Sequence, residues 1–549
     1  MLNIPTKVTN ISKAKIVIIN FFLNRKRIFV PLLFIFLFLI FYFFIDFSSQ
    51  NLVAHDEGLY ARRSRLLEES YNWFSPPFST PHHKTLGSYW FIALSIRLFG
   101  NSELALRLPS ILASIVCLFI SYYIALKITN KKAALISVFS LSSMPLWIQY
   151  SRYASPDIIF VLCVLLVILF FLKFLDNKSN VKNFIYIFFS GFFISIAFFI
   201  RSYMIFVPLI GLAPFLGFHL FRARTIFKSL FLSGILFGSL PTLISLIFAY
   251  KKFGNRAISS LFDFVEKQAI GNLDFSTYYY APINFLYLTF PIGIILVILI
   301  VFTYSNNLVK YPLLIYCYPL LSTSILLCMT TYYPHYFLFL LPSLAIIFGN
   351  KIQSFSFRFY VSKFTIKYLL SFLLILITLI LVLFLIYFND YFLDFSYTQK
   401  ILVYSLSLVL ILSYISSIRF LFNISNNQIN LIKVFYNLII PQYISLSLFF
   451  NFGILGNPNY KTKEFLKDKV INSIISSNTI YLFQVDSKIQ TLLSFYLPSS
   501  KVVNKLEDIR IDDYIITNNS ITLNILNGKK VFKSIRKFDN HFLLMKKQK

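Results

Sequence analysis

Long apolar runs, separated by short polar segments, make up most of the first 451 residues. Each run is close to the length that an α-helix needs to cross the hydrocarbon core of a bilayer, where a helix satisfies its own backbone hydrogen bonds. The pattern therefore predicts an α-helical polytopic membrane protein with about thirteen transmembrane helices. The predicted spans are 29–46, 108–126, 134–150, 157–172, 184–200, 203–221, 229–249, 282–304, 311–330, 336–350, 368–388, 400–418 and 434–451.

After residue 451 the apolar runs become shorter and alternate in the manner of a small α/β domain. The predicted elements are strands at 479–483, 513–517 and 541–545 and a helix at 488–497. We therefore expect two domains, a transmembrane domain over 1–451 and an α/β domain over 452–549. An odd number of spans with a cytoplasmic N-terminus would place the second domain on the outer face.

Composition and charge support this interpretation. Hydrophobic residues make up 57% of the 549 residues and charged residues only 13%, which excludes an ordinary soluble protein. With a cytoplasmic N-terminus, the predicted inner segments hold 22 Lys and Arg and one acid, Asp176. This asymmetry follows the positive-inside rule, so the net charge of +30 sets topology and a nucleic-acid partner is not expected.

The longest polar segment between predicted spans is the loop over residues 47–107, which this topology places outside. Its mixed apolar and charged stretches near 58–70 and 88–99 are typical of helices that lie in the membrane interface. Tyr89, Trp90 and Phe91 would then sit at headgroup depth. A second charged outer loop is predicted at 250–281 and contains Lys267.

Three acids in or beside these outer segments are candidates for chemistry. Asp56 and Glu57 form a pair just beyond the first span, and a carboxylate near a low-dielectric boundary can serve as a general base. Solvated loop acids are the alternative. Asp157 follows Pro156 at the start of the fourth span, where an acid also complements the helix dipole. Spacing alone leaves both readings of Asp157 open.

Several cations could bind an anionic substrate on the same side. Lys84, Arg62, Arg63 and Arg201 are candidates to hold the phosphate of a lipid-linked sugar, because a cation there would stabilise the charge of the leaving group. Attraction to anionic lipid headgroups is the alternative for each. We add Lys267 and His335 as further candidates for substrate binding, since both lie at the outer side in this topology.

The sequence gives only weak support for a metal site. His55 and His83 lie near the candidate acids, so a divalent cation is possible, but their spacing matches no ligand pattern. No cofactor is otherwise indicated. The four cysteines fall within predicted spans and are expected to be core residues.

An ordered set of short motifs resembles the C-type integral-membrane glycosyltransferases, in the branch of the protein O-mannosyltransferases and the lipid A aminoarabinose transferases. The matching positions are Asp56, Glu57, Tyr60 and Ala61, then Lys84, Tyr89 and Trp90, then Phe99, Gly100, Arg107, Leu108, Pro109 and Ser110. Thr85 and Leu86 replace two prolines of the family pattern, and Leu59 replaces an arginine of the aminoarabinose transferases. That particular sugar specificity is therefore not assumed.

The resemblance implies an inverting transfer of one sugar from a polyprenyl-phosphate donor to a lipid, glycan or protein acceptor on the outer face. It implies that Asp56 is the base or orients the acceptor, that Asp157 is the second acid, and that Lys84, Tyr60, Tyr89 and Arg201 contact the substrates. We expect a monomer in the cytoplasmic membrane of a bacterium. A transporter or flippase of lipid-linked sugars is the alternative, although the sequence shows no internal repeat.

Overall fold

The computed structural model separates the chain into two compact units, Met1–Asp46 and Phe47–Lys549, and every described residue belongs to the second. The described residues are 52–53, 56–78, 80–81, 84–270, 283, 286, 288–302, 309–329, 333–355, 363–387, 396–422, 431–456, 460–497, 499–503, 505, 508–517, 532–538 and 542–547. The first predicted span, 29–46, lies outside them.

The described part of the chain is mostly helical. Its α-helices are α1 Asp56–Glu69, α2 Gly87–Phe99, α3 Glu103–Ile128, α4 Lys131–Ser143, α5 Pro145–Tyr150, α6 Asp157–Asp176, α7 Asn180–Arg201, α8 Phe206–Arg222, α9 Thr225–Phe253, α10 Arg256–Ile270, α11 Ile292–Phe302, α12 Tyr318–Cys328, α13 Leu341–Phe355, α14 Lys363–Tyr387, α15 Tyr397–Phe422, α16 Leu431–Asn451, α17 Tyr460–Lys467, α18 Lys469–Ser477 and α19 Ser487–Tyr496. Ser202–Ile205 and Pro334–Leu340 are 3₁₀ turns, and Leu313–Cys317 is a π-helical turn.

Within the described residues, six helical segments are long and apolar enough to cross a membrane. They are Glu103–Ile128, Asp157–Asp176, Asn180–Arg222, Thr225–Phe253, Pro334–Gln353 and Tyr397–Leu421. Shorter apolar helices cover Ile292–Val301, Leu313–Cys328 and Tyr368–Leu383. A polytopic helical fold is therefore confirmed, whereas the number of thirteen spans stays a prediction.

One predicted span is interrupted. The run at 134–150 consists of α4, which ends at Ser143, and the short α5, which begins at Pro145. Met144 between them has extended backbone angles (φ −68°, ψ 129°), as expected for a residue that precedes proline.

Close contact between α7 and α9 depends on glycine. A Cβ atom on Gly191 would lie 2.1 Å from the carbonyl oxygen of Phe231, and one on Gly234 would lie 2.0 Å from that of Phe188. Small residues at such positions let two helix backbones approach each other, which is the main packing device inside a bilayer.

Each end of α6 carries an aspartate in an ion pair, and the partners differ. Its 20 residues at 1.5 Å per residue give a length of roughly 28 Å, close to the thickness of the hydrocarbon core. Asp157 lies at one end with Arg201. At the other end Asp176 pairs with Lys127 (2.5 Å) and Lys310 (2.6 Å).

The C-terminal segment forms a five-stranded mixed sheet. Its strands are β1 Ile480–Phe483, β2 Lys501–Val503, β3 Tyr514–Thr517, β4 Phe532–Phe538 and β5 Phe542–Lys547, in the spatial order β2-β1-β3-β5-β4. Strand β1 is parallel to β2 and β3, whereas β5 is antiparallel to β3 and β4. The strands predicted at 479–483, 513–517 and 541–545 correspond to β1, β3 and β5. The outer location of this segment stays a prediction.

Candidate active site

A buried carboxylate, Glu57, holds three parts of the site together. Its Oε1 atom accepts from Arg107 Nε (2.8 Å) and from the Ala154 N–H (2.8 Å). Its Oε2 atom accepts from Arg107 Nη2 (2.8 Å) and from the Val53 N–H (2.9 Å). Both side chains of the ion pair are fully buried. Glu57 therefore links α1 to α3 and to the segment that leads into α6.

A catalytic role for Glu57 stays a prediction, and its contacts favour a positioning role. Four donors already occupy its two oxygen atoms, so the carboxylate is engaged in holding the fold and is poorly placed to take a proton. Asp56 is the first residue of α1, and its side chain lies outside the described residues. The ion pair of Glu57 with Arg107 fixes the backbone directly after Asp56. The hydrogen bond from Ala154 to Glu57 fixes the backbone three residues before Asp157.

Asp157 and Arg201 form a second buried ion pair. Arg201 Nη2 lies 2.7 Å from Asp157 Oδ1, and their side chains are 12% and 6% exposed. Arg201 ends α7 and Asp157 begins α6, so the two antiparallel helices bring the pair together. The guanidinium also lies over the Tyr336 ring, 5.8 Å from its centroid. Both residues are candidates from the sequence, and the structure brings them together; their roles in the chemistry stay predictions.

His335 packs edge-on against Tyr336, the ring that the Arg201 guanidinium covers. Its Nδ1 atom lies 3.2 Å from the Tyr150 hydroxyl, and its ring stacks on Tyr333 at a centroid distance of 5.6 Å. A contact of His335 with substrate stays a prediction.

Lys84 is in contact with Tyr60. Its Nζ atom donates to the Tyr60 hydroxyl at 2.8 Å and lies 4.4 Å from the centroid of that ring. The structure therefore brings two predicted substrate-binding residues together, and their contact with a substrate stays a prediction.

The segment that carries Lys84 is anchored on the end of α7. Ser88 Oγ donates to the Ile200 carbonyl at 2.6 Å. A Cβ atom on Gly87 would lie 2.4 Å from the Phe199 carbonyl oxygen, so only glycine permits this approach without movement. The same contacts that seat α2 therefore bring Lys84 towards Arg201.

An apolar cleft opens beside Lys84. Phe78 and Leu86 line one side, and Leu246 and Phe253 of α9 line the other. Among its described lining residues Lys84 carries the one charged side chain. A cleft with this chemistry suits a ligand that joins a hydrocarbon chain to an anionic group.

Tyr89 lies in the core beside Tyr60. Its side chain is fully buried, its hydroxyl accepts from Arg63 Nη1 at 3.2 Å, and its ring packs against Tyr60 and Phe78. Burial raises the pKa of this phenol. These contacts support neighbouring residues, and a contact of Tyr89 with substrate stays a prediction.

The two arginines of α1 differ in environment. Arg63 lies over the Phe78 ring at 4.8 Å as well as bonding to Tyr89, so its guanidinium is held by aromatic residues. Arg62 is half-buried, and burial together with Arg63 and Arg65 lowers the pKa of its guanidinium. A role for either one in substrate binding stays a prediction.

Other candidates fall partly or wholly outside the described residues. His55 and His83 do so entirely, whereas Lys267 lies in α10 but its side chain is not described. In the described part of the chain, no three His, Cys, Asp or Glu side chains form a group that could hold a metal ion.

Sequence reasoning missed the roles of Arg107 and Arg152. Arg107 appeared only as part of a motif, yet it is the partner of Glu57. Arg152 is fully buried and donates to the Ser447 carbonyl at 3.2 Å and to Asn451. An arginine in apolar sequence usually has a buried partner, so the signal was present, but the partner could not be named from sequence.

A protein-family model described as dolichyl-phosphate-mannose-protein mannosyltransferase matches residues 83–248. The match includes Lys84, Asp157 and Arg201. Among curated proteins, the undecaprenyl phosphate-alpha-4-amino-4-deoxy-L-arabinose arabinosyl transferase of Aeromonas hydrophila is 30% identical over 110 residues. The enzyme of that name from Shewanella sediminis is 28% identical over 130 residues. These alignments cover 19% and 23% of this chain and only 20% and 23% of the relatives.

Among solved structures, ArnT from Cupriavidus metallidurans bound to undecaprenyl phosphate superposes with a TM-score of 0.73. The alignment covers 95% of this chain and 98% of ArnT at 14% identity. The apo state of the same protein gives a TM-score of 0.69. At this identity the likeness shows the fold alone. With the family-model match and the curated relatives, it confirms the resemblance to the C-type membrane glycosyltransferases.

Proposed function

We propose that this protein is a membrane glycosyltransferase that moves one sugar from a polyprenyl-phosphate donor to a lipid, glycan or protein acceptor. The reaction takes place on the outer face of the cytoplasmic membrane of a bacterium, and the enzyme acts as a monomer. The whole-chain likeness to ArnT and the names of the curated relatives support the donor class.

The observation that carries the proposal is the position of Lys84. This cation lines an apolar cleft, and its segment is anchored by the hydrogen bond from Ser88 to the Ile200 carbonyl, directly before the Arg201 that pairs with Asp157. A polyprenyl chain would occupy the cleft, and its phosphate would lie against Lys84. A cation in that place stabilises the negative charge that grows as the sugar leaves.

The reaction needs a base but no acid. A hydroxyl oxygen of the acceptor attacks the anomeric carbon of the sugar while the bond from that carbon to the phosphate oxygen breaks, with inversion at the carbon. The bonding electrons remain on the phosphate, which is stable as an anion. The proton of the acceptor hydroxyl passes to a carboxylate.

We assign the carboxylate roles from the contacts around them. Asp56 is the base, because it is adjacent to the immobilised Glu57 at the start of α1. Asp157 orients the acceptor or the sugar, with Arg201 holding its carboxylate. Glu57 and Arg107 position these acids by fixing the backbone next to each of them.

The function is tested with the purified protein and a panel of polyprenyl-phosphate sugars, together with mass spectrometry of envelope glycolipids and glycans from a deletion strain. We expect one donor to be consumed, polyprenyl phosphate to be released, and a single sugar to be missing from one envelope component. A full panel without turnover and an unchanged envelope would overturn the proposal.

Lys84→Ala gives the sharper test of the donor site. A charge-assisted hydrogen bond contributes about 1.5–3 kcal/mol, which corresponds to roughly 10- to 100-fold weaker donor binding. Lys252→Ala is the matched control, because Lys252 is also near the cleft but donates to the Pro76 carbonyl at 2.9 Å. Equal effects of the two variants would show that general surface charge, and not a phosphate contact, explains the loss.

A further inference from the structure

Helix α19 of the C-terminal α/β segment packs directly on the candidate catalytic helix α1. A Cβ atom on Gly58 would lie only 3.5 Å from the Cα atom of Leu492, so the two backbones nearly touch. Leu492 and Phe495 belong to the same buried apolar cluster as Tyr60. The contact is therefore part of the core that supports the site.

Polar contacts reinforce this packing at the C-terminal end of α19. Arg65 of α1 donates from Nη1 to the Phe495 carbonyl (2.9 Å) and from Nη2 to the Ser494 carbonyl (3.2 Å). The last carbonyls of a helix have no partner within the helix and carry partial negative charge, so a buried cation there is favourable.

Tyr496, the last residue of α19, reaches a different helix. Its hydroxyl donates to Glu103 in the first turn of α3, and it accepts from the Leu52 N–H at 3.4 Å. Lys463 Nζ binds the other oxygen of Glu103 at 2.6 Å. Burial and the Glu103 carboxylate raise the pKa of Tyr496, so its hydroxyl stays protonated and donates.

Glu103 stands one helical turn before Arg107 on α3. Residues four apart lie on the same face of a helix, so Glu103 and Arg107 are neighbours on α3. Tyr496 is hydrogen-bonded to Glu103, and Arg107 is hydrogen-bonded to Glu57, which also accepts from the N–H of Ala154. We call these five residues, which meet across one turn of α3, the polar chain.

We infer that Tyr496 is a positioning residue of the C-terminal segment, which acts through Glu103 and Arg107 on Glu57 and so aligns the backbones next to Asp56 and Asp157. This inference rests on the proposed transfer reaction.

Tyr496→Phe tests the inference, because it removes the hydroxyl and keeps the ring that packs in the core. We expect kcat to fall about 10-fold through misalignment while the apparent donor KM stays within about two-fold of the parent. Amide hydrogen exchange should be faster at Ala154 and over residues 57–60, in the full-length protein in lipid nanodiscs. Tyr481→Phe is the matched control, because Tyr481 lies in β1 of the same segment, where it pairs with Lys501 of β2 and Ile515 of β3.

A double variant tests whether Tyr496 acts through Glu103. If Tyr496 acts through Glu103, then Tyr496→Phe combined with Glu103→Gln should lose no more activity than Glu103→Gln alone. Losses that multiply would show that the two residues act separately and would overturn the proposed route.

Turnover and amide hydrogen exchange, measured on the same variants, separate this inference from the proposed function. Slower turnover together with faster exchange in Tyr496→Phe, but not in Tyr481→Phe, supports the inference. A change in only one readout, or in neither, overturns it. If the parent transfers no sugar from any donor, the proposed function fails, and hydrogen exchange alone then decides whether the polar chain exists.

Discussion

Replacement of Glu57 by glutamine should destabilise the protein as well as inactivate it. Glutamine keeps the shape, but it has one acceptor oxygen and an NH₂ group, whereas the site presents four donors to two oxygens. The change also leaves the Arg107 charge buried without its partner. Removing one partner of a buried ion pair costs about 3–5 kcal/mol.

The measurement is thermal unfolding of the purified protein, followed by tryptophan fluorescence, alongside sugar transfer. Glu69→Gln is the control, because Glu69 is 54% exposed and its ion pair with Arg65 should contribute about 0–1 kcal/mol. We expect a clear fall in melting temperature for Glu57→Gln and almost none for the control. If Glu57→Gln melts like the parent but transfers no sugar, Glu57 acts in the chemistry and the positioning role is refuted.

Three further predictions concern binding, the second ion pair and topology. Lys84→Arg should recover only part of the donor affinity lost in Lys84→Ala, since the guanidinium differs in shape and reach. Full recovery would show that only the positive charge at this position matters. Arg201→Met should destabilise the protein by about 3–5 kcal/mol in thermal unfolding, because it leaves Asp157 buried without its partner; an unchanged melting temperature would contradict the observed pair. With the exposed Cys328 replaced by serine, Ser499→Cys should react with an impermeant thiol reagent added outside intact cells and Ser179→Cys should not; the reverse pattern would invert the topology.

Elements with strong periodicity could be predicted from sequence. The stretches near 58–70 and 88–99 correspond to α1 and α2, and the span at 157–172 corresponds to α6. The periodicity of a helix depends on residues that are close in sequence, so it can be recognised without knowledge of tertiary contacts. The break at Pro145 was missed because the surrounding run contains no charged residue and was therefore taken as one span, although proline at that point ends the hydrogen-bond ladder.

The site could be predicted only in part. Asp157 and Arg201 were chosen because polar residues at the ends of apolar spans are rare and costly, and the structure brings the two together. Lys84 was chosen from the outer loop and from the family motif. The structural role of Glu57 could not be found in this way, since its partners Arg107 and Ala154 are 50 and 97 residues distant in sequence. The burial of Tyr89 could not be predicted either, because an interfacial aromatic and a buried one look alike until the packing around them is known.

The most direct test of the account is the turnover of Asp56→Asn with a donor that the parent protein accepts. The amide preserves the size of the side chain but cannot take the proton of the acceptor hydroxyl, so we predict a loss of about 100- to 10,000-fold in rate with an unchanged melting temperature. Release of polyprenyl phosphate and formation of the sugar product are measured in the same reaction. Transfer at the parent rate by Asp56→Asn would contradict the account and leave Asp157 as the candidate base.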